Sequence, residues 1–239
     1  MLTPLAVPAD LADRVYEALL DAICTGRWTA GERLTQESVA DQLGVSRQPV
    51  LQAFRVLQRQ GLLVDTPNKK GVLVAPLDAD FLLQLYAVRG ALDALAAQAA
   101  ARMPRPELRA PGQALVRAGR AAARGGDIAA LVDADLAFHR FVYDASGNPL
   151  LGRTAAVHWH HTRRAMAAYL RLPASFHHVW DEHEQILEAI VAGDAARAER
   201  LSREHASAAA ALLAGQPAEP AAPLGPLPQA RSPLPARSA

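Results

Sequence analysis

Two side chains that favour metal ions stand four positions apart near the middle of the chain. Asp135 and His139 lie in an apolar segment with helical periodicity, and residues four apart share one face of a helix. Such a pair can offer one oxygen and one nitrogen to the same ion. The spacing alone favours an ordinary polar pair on a helix over a pair of ligands, so both interpretations stay open here.

A second group of side chains is basic and lies closer to the N-terminus. The net charge of the chain is only +1, so its total charge does not indicate nucleic acid. Between Leu43 and Gly71, however, five basic residues stand against one acidic residue, a local balance of +4 that can meet phosphates. The basic residues are Arg47, Arg55, Arg59, Lys69 and Lys70.

The elements that carry this basic segment are short. Helical periodicity predicts three helices, over residues 10–25, 36–43 and 46–60. Thr35 and Ser46 are expected to cap the second and third helices, and Gly44 to end the second. Two apolar runs, residues 62–64 and 72–74, flank a turn-rich basic loop and predict a hairpin. Three helices and a basic hairpin predict a winged helix-turn-helix.

Long helical patterns fill the rest of the chain, so we expect a mainly α protein. Six helices are predicted, over residues 79–102, 106–125, 127–146, 149–170, 175–192 and 194–214. We therefore expect a DNA-binding domain over 1–76 and an all-helical domain over 77–214. Residues 215–239 contain seven prolines and few large apolar residues, which predicts a disordered tail.

Composition bears on the cell compartment. Cys24 is the single cysteine, so no disulfide within the chain and no multi-thiolate metal site is possible, and a reducing cytoplasm fits best. The N-terminus lacks the pattern of a signal peptide, and the most apolar helices carry charges such as Arg89 and Asp93. We expect a cytoplasmic protein outside the membrane.

Several motifs of the first domain together resemble the signature of the GntR family of transcriptional regulators. They are residues 26–34 (GRWTAGERL), 43–50 (LGVSRQPV), Gly61-Leu62-Leu63 and wing Gly71. The resemblance implies a winged helix-turn-helix whose third helix enters the major groove of an operator.

The resemblance also implies which residues meet DNA. Arg47 begins the recognition helix, where it can reach a base edge or a phosphate. Arg55, Lys69 and Lys70 are expected to meet phosphates, and Arg33 either to do so or to act as a capping or surface charge. Leu51 departs from the arginine that is common in the family and can touch a thymine methyl group instead. The predicted surface comprises Arg33, Ser46, Arg47, Gln48, Leu51, Arg55, Lys69, Lys70 and Gly71.

The second domain resembles the FCD helical sensor of the same family, in a shorter, six-helix version. The resemblance is carried by residues 135–139 (DLAFH), 146–148 (SGN), Glu182-His183, Gly193-Asp194 and His205. It implies a metal site made of Asp135, His139, His183 and His205. A set of one oxygen and three nitrogens without thiolate suits zinc, nickel, manganese or cobalt.

We therefore expect a homodimeric regulator that binds a pseudopalindromic operator and responds to a small organic acid. Arg89 can hold a carboxylate of that effector, or it can simply pair with Asp93 four residues on. No residue pattern indicates an enzyme. The alternatives are a metalloenzyme recruited to DNA and a metal-independent DNA-binding module with structural or pH-sensing histidines.

Overall fold

The computed structural model describes residues 10–67, 70–103, 105–169 and 176–214. They form two compact units, one ending at Pro76 and one beginning at Leu77. Both units are mainly helical, which confirms the predicted fold class. The predicted tail lies outside the described residues. Within the described ranges, no helix is long and apolar enough to cross a membrane.

The first unit combines three helices with a small antiparallel sheet. Its elements are α1 (Asp10–Cys24), β1 (Arg33–Leu34), α2 (Gln36–Leu43), α3 (Arg47–Arg59), β2 (Leu63–Asp65) and β3 (Val72–Val74). The strand order is β1-β3-β2, with Leu34 opposite Val72 and Leu63 opposite Val74. Sequence reasoning missed β1, because two residues are too few to show an alternating pattern.

Local signals set the ends of α2 as predicted, whereas the start of α3 differs in one respect. The Thr35 side chain accepts a hydrogen bond from the backbone N–H of Ser38 at 3.1 Å. Gly44 ends α2 in the left-handed conformation with φ +64°, which glycine adopts without a steric penalty. Ser46 does occupy the N-cap of α3, but its side chain makes no capping hydrogen bond, so that part of the prediction is wrong.

The core of the first unit leaves one face of α3 free. Val50, Phe54 and Leu57 of α3 are almost fully buried and share a core with Leu19 and Ile23 of α1. Burying each such side chain contributes about 1.5–3 kcal/mol. The apolar stripe therefore fixes the rotation of α3 about its axis and turns the opposite, polar face toward solvent.

The second unit is a helical bundle. Its elements are α4 (Ala79–Arg102), a 3₁₀ turn (Pro106–Leu108), α5 (Arg109–Gly125), α6 (Ile128–Ala145), α7 (Pro149–Ala156), α8 (Trp159–Tyr169), α9 (Phe176–Val191) and α10 (Ala195–Ala214). The single helix predicted over 149–170 is two helices, so the described part of this unit contains seven α-helices where six were predicted. Neither glycine nor proline marks the break at Val157 and His158.

Small side chains bring α4 and α10 close together. Ala94 and Ala97 of α4 are fully buried, and a Cβ atom built on Gly90 would lie 3.0 Å from the Cβ of Ala206. Helices approach closely where side chains are this small, and each helix then holds the other in register. His205, which precedes Ala206 on α10, is also buried in the bundle.

A similar close approach joins α5 to α9. Gly119 of α5 faces the indole ring of Trp180, which is 1% exposed, and a Cβ atom on Gly119 would overlap that ring. Trp180 in turn contacts the ring of His183 at a centroid distance of 4.7 Å. The absence of a side chain at Gly119 therefore creates the space that Trp180 fills beside His183.

We predict that Gly119→Ala destabilises the fold, because the added methyl group would overlap the buried Trp180 ring and overpacking of this kind costs about 1–3 kcal/mol. The matched control is Gly125→Ala on the same helix, where no other part of the described chain beyond the adjacent helix backbone lies within 4 Å of the added methyl group. That change should leave stability unchanged or raise it by up to about 1 kcal/mol. Urea unfolding of both variants gives the comparison, and equal midpoints would contradict it.

Candidate metal centre and nucleic-acid interface

The structure brings together the four residues implied as metal ligands. Asp135 and His139 lie on α6, His183 on α9 and His205 on α10, and all four are buried. One ligand atom from each lies within 4.8 Å of the other three. Helix α6 and the later, consecutive helices α9 and α10 thus direct one carboxylate and three imidazoles to a common point.

The distances within this cluster are short enough for a shared ion. The Oδ1 atom of Asp135 lies 3.4 Å from Nε2 of His183, and its Oδ2 atom lies 3.8 Å from Nε2 of His139. The rings of His183 and His205 have centroids 4.7 Å apart. The donor set of one oxygen and three nitrogens is one that divalent transition metals accept.

Several buried nitrogens of the cluster lack partners. Within the described part of the chain, Nε2 of His139 and both ring nitrogens of His183 have no hydrogen-bond partner. Buried polar atoms in proteins are nearly always hydrogen-bonded, so buried nitrogens without a partner require an explanation. Burial, reinforced by His205, His139 and Arg89, holds the pKa of His183 well below its ordinary value. The neutral imidazole is the form that binds a metal, so these residues fit one.

Arg89 of α4 lies beside the cluster. Its guanidinium is 3.3 Å from Oδ2 of Asp93 and 3.2 Å from Oδ2 of Asp135, and Nη1 donates to the hydroxyl of Tyr86 at 3.3 Å. The intrahelical pair with Asp93 is therefore present, together with a second pair to Asp135 that sequence spacing did not predict. Burial raises the pKa of Tyr86 to about 12, so this hydroxyl stays protonated.

A buried hydrogen-bond network extends from Arg89 through Asp93. Asp93 accepts a hydrogen bond from the hydroxyl of Tyr143 and lies 3.4 Å from Nδ1 of His139. Burial would raise the pKa of Asp93, but His139, Arg89 and the Tyr143 hydroxyl together hold it well below its ordinary value. Sequence reasoning missed Tyr143, because it is 50 residues from Asp93 and no local pattern joins the two.

The predicted DNA-facing residues of α3 lie on its polar side. Arg47, Gln48 and Arg55 are exposed, Ser46 precedes them at the N-cap, and Leu51 is half-buried. The Arg47 guanidinium pairs with Glu37 of α2 at 2.6 Å. Both side chains are about two-thirds exposed, and exposed pairs of this kind contribute at most about 1 kcal/mol, so a stronger partner can displace Glu37.

The wing is fixed at its base by Arg33. Two nitrogens of the Arg33 guanidinium, Nε and Nη2, donate to the backbone carbonyl of Lys70 at 3.0 and 2.5 Å. Gly71 follows with φ +102°, and a Cβ atom there would collide with the carbonyl oxygen of Leu34. Arg33 therefore holds the wing in place, and its contact with DNA stays a prediction. Lys69 lies outside the described residues.

A winged helix-turn-helix and a helical bundle with a buried polar cluster, carried by one chain, define a two-part DNA-binding protein. Comparison with known families narrows this class. Residues 11–74 match the family described as bacterial regulatory proteins, gntR family, and residues 84–208 match the FCD domain. The chain belongs to the GntR family of transcriptional regulators and carries an FCD domain, as its motifs predicted.

Individual relatives agree with this assignment. The chain is 29% identical over 204 residues to the "Probable D-xylose utilization operon transcriptional repressor" of Paenarthrobacter nicotinovorans, covering 83% of this chain and 86% of that protein. It is 30% identical over 200 residues to an HTH-type transcriptional regulator of Streptomyces ambofaciens, covering 81% of each chain. The solved structure of McbR/YncC from E. coli has the same fold, with a TM-score of 0.72 at 22% identity over 86% of this chain and 97% of that one. The matched families and relatives are regulators rather than enzymes.

We predict that His139→Ala, His183→Ala and His205→Ala each lower both metal content and melting temperature, because each removes one ligand from a shared buried site. Chelation of the wild type should reproduce the loss. His178→Ala is the control, since His178 is exposed on the same helix as His183. Elemental analysis after purification measures occupancy, and full occupancy in all three variants would refute the ligand set.

Proposed function

We propose that this protein is a homodimeric transcriptional regulator whose operator affinity changes when a small carboxylate enters a metal-bearing FCD domain. The observation that carries the proposal is the buried cluster of Asp135, His139, His183 and His205 with Arg89 beside it. A structural core does not require buried imidazole nitrogens without hydrogen-bond partners, such as those of His139 and His183, next to a buried guanidinium. A binding site for a metal ion and an anion uses both kinds of group.

The ligands proposed for the metal are Asp135, His139, His183 and His205, and the metal is zinc, nickel, manganese or cobalt. When bound, the ion supplies positive charge and coordination positions that accept an anionic oxygen. Arg89 is the proposed second contact for the effector, because a planar guanidinium binds a carboxylate through two parallel hydrogen bonds. Its contacts with Asp93 and Asp135 hold the guanidinium in place before the effector arrives.

For the first unit we propose a direct interface with operator DNA in the cytoplasm. Arg47 contacts a base edge, Leu51 a thymine methyl group, and Arg55 and Lys70 contact phosphates. Ser46, Gln48, Gly71 and Lys69 complete the proposed surface, while Arg33 positions the wing and stays a candidate for a phosphate contact. The exposed polar face of α3 and the anchored wing support this assignment.

A homodimer follows from the proposed pseudopalindrome, because two equal half-sites require two-fold symmetry. The helix α4 exposes three large apolar side chains: Leu83, Val88 and Leu95 are 46%, 47% and 50% exposed. Val88 and Leu95 are seven positions apart and so share one side of the helix, and the same pair on a second copy is a suitable partner. We propose α4 as part of the dimer surface.

The Paenarthrobacter relative is named for a sugar-utilisation operon, which supports control by a metabolite in this chain as well. The sequence relation does not extend to the identity of that metabolite. The chemistry of the cluster favours an organic acid over a neutral sugar, because a bound cation attracts negative charge and the Arg89 guanidinium is a group that only donates hydrogen bonds.

We predict that Arg47→Ala weakens specific operator binding about 5- to 150-fold while the fold and the dimer stay intact, because a good base contact is worth about 1–3 kcal/mol. Glu37→Gln should retain binding, since it removes only the exposed partner of Arg47. Lys70→Ala should weaken binding to all sequences and flatten its salt dependence. Gel-shift titrations with operator and random DNA separate these effects. Unchanged operator affinity in Arg47→Ala would show that this residue does not contact the operator bases.

We predict reciprocal coupling between effector and operator. Acetate, lactate, malate and citrate are screened by thermal shift, since a ligand that prefers the folded state stabilises it. Operator should then change the affinity of the best acid by the same factor by which the acid changes operator affinity, with a coupling of about 1–3 kcal/mol. Calorimetric titrations compare four samples: wild type alone, wild type with operator, Arg89→Lys and metal-stripped protein. Arg89→Lys keeps the positive charge but loses the planar guanidinium that forms two parallel hydrogen bonds. Equal affinities in all four samples would reject the mechanism.

A further inference from the structure

The three clustered histidines differ in what lies against their second ring nitrogen. Nδ1 of His205 is 2.7 Å from Oε2 of Glu182, and Nδ1 of His139 is 3.4 Å from Oδ2 of Asp93. His183 has no such partner within the described residues. Its ring instead stacks on Phe138 at a centroid distance of 4.4 Å. Packing thus positions one imidazole, and carboxylates lie against the other two.

The contact between Glu182 and His205 determines which nitrogen of His205 carries the proton. An ionised carboxylate can only accept a hydrogen bond, so Nδ1 of His205 must donate. In neutral imidazole the other nitrogen, Nε2, then holds the lone pair that a metal requires. A hydrogen bond of 2.7 Å to a charged acceptor also restrains rotation of the ring.

We propose that Glu182 is a positioning residue that holds His205 with Nε2 presented as a metal ligand. This inference rests on the metal centre proposed above. Glu182 and His205 lie on different helices, α9 and α10, so the hydrogen bond also ties these two helices together. Because Glu182 directly precedes His183, α9 supplies one ligand and the partner of another from adjacent positions.

Asp93 is the counterpart of Glu182 at His139, but it is a poor residue for a test. It also pairs with Arg89 and accepts from Tyr143, so its removal would leave a buried guanidinium short of negative charge. The Glu182 side chain, in contrast, is 41% exposed. Its replacement buries no unpaired charge, and an effect on metal binding can therefore be separated from an effect on folding.

Glu182→Leu removes the acceptor, whereas Glu182→Gln keeps an acceptor oxygen without the charge. Glu204→Leu is the matched control, because Glu204 is next to His205 in sequence but is exposed and pairs with Arg200. Each full-length variant is stripped of metal, and its zinc affinity is measured by competition with a chromophoric chelator. Melting temperatures of the metal-free proteins report the fold independently of the metal.

Loss of an outer hydrogen-bond partner typically weakens metal binding 10- to 100-fold. We expect a loss of about that size in Glu182→Leu, a smaller loss in Glu182→Gln and none in Glu204→Leu. The metal-free forms should melt at similar temperatures, with at most a small decrease in Glu182→Leu, which loses the hydrogen bond between α9 and α10. Zinc binding by Glu182→Leu as tight as that of wild type, or an equal loss in Glu204→Leu, would overturn the proposal. Wild-type protein that fails to bind zinc or cobalt would instead overturn the metal centre itself.

Discussion

Arg89 is a positive charge inside a helical bundle, and its neutralisation constrains the elements around it. An isolated buried cation costs several kcal/mol, so a buried guanidinium requires negative partners at short range. Asp93 supplies one from the same helix and Asp135 supplies the other from α6. The pair with Asp135 locks α4 to α6 and fixes the Asp135 carboxylate within reach of the histidines. The polar cluster is thereby built into the packing of the bundle.

Close helix packing makes this arrangement possible. The small residues between α4 and α10, such as Gly90 opposite Ala206, let the backbones approach and carry His205 inward. On the other side, Gly119 leaves room for Trp180, whose ring supports His183. Bulky aliphatic side chains at these positions would hold the helices apart. The small residues between these helices are therefore a requirement of the site's geometry, and the alanines among them also favour helix.

Prediction from sequence succeeded where a local pattern carries the information. Thr35 and Gly44 mark the start and the end of α2 as predicted, and both ends of α4 were predicted to the residue. The four-residue spacing made Asp135 and His139 candidates, whereas their two partner histidines were found only through resemblance to a family. The break between α7 and α8 carries no glycine or proline, and Tyr143 reaches Asp93 only after distant helices pack. Such features depend on tertiary structure, and a single sequence does not reveal them.

The hydrogen bonds from Arg33 to the carbonyl of Lys70 affect the conformational entropy that the protein loses when it meets DNA. Ordering a free loop on DNA would cost about 1–2 kcal/mol for each residue immobilised. At the base of the wing, folding has already restricted the backbone. The Arg33 guanidinium holds the carbonyl of Lys70, and only glycine fits at position 71 without a collision with the Leu34 carbonyl oxygen. With the base of the wing ordered in advance, little conformational entropy is lost at that point in any encounter with DNA. Discrimination between sites then depends on the match at the bases and on electrostatic attraction, rather than on how readily the protein folds around DNA.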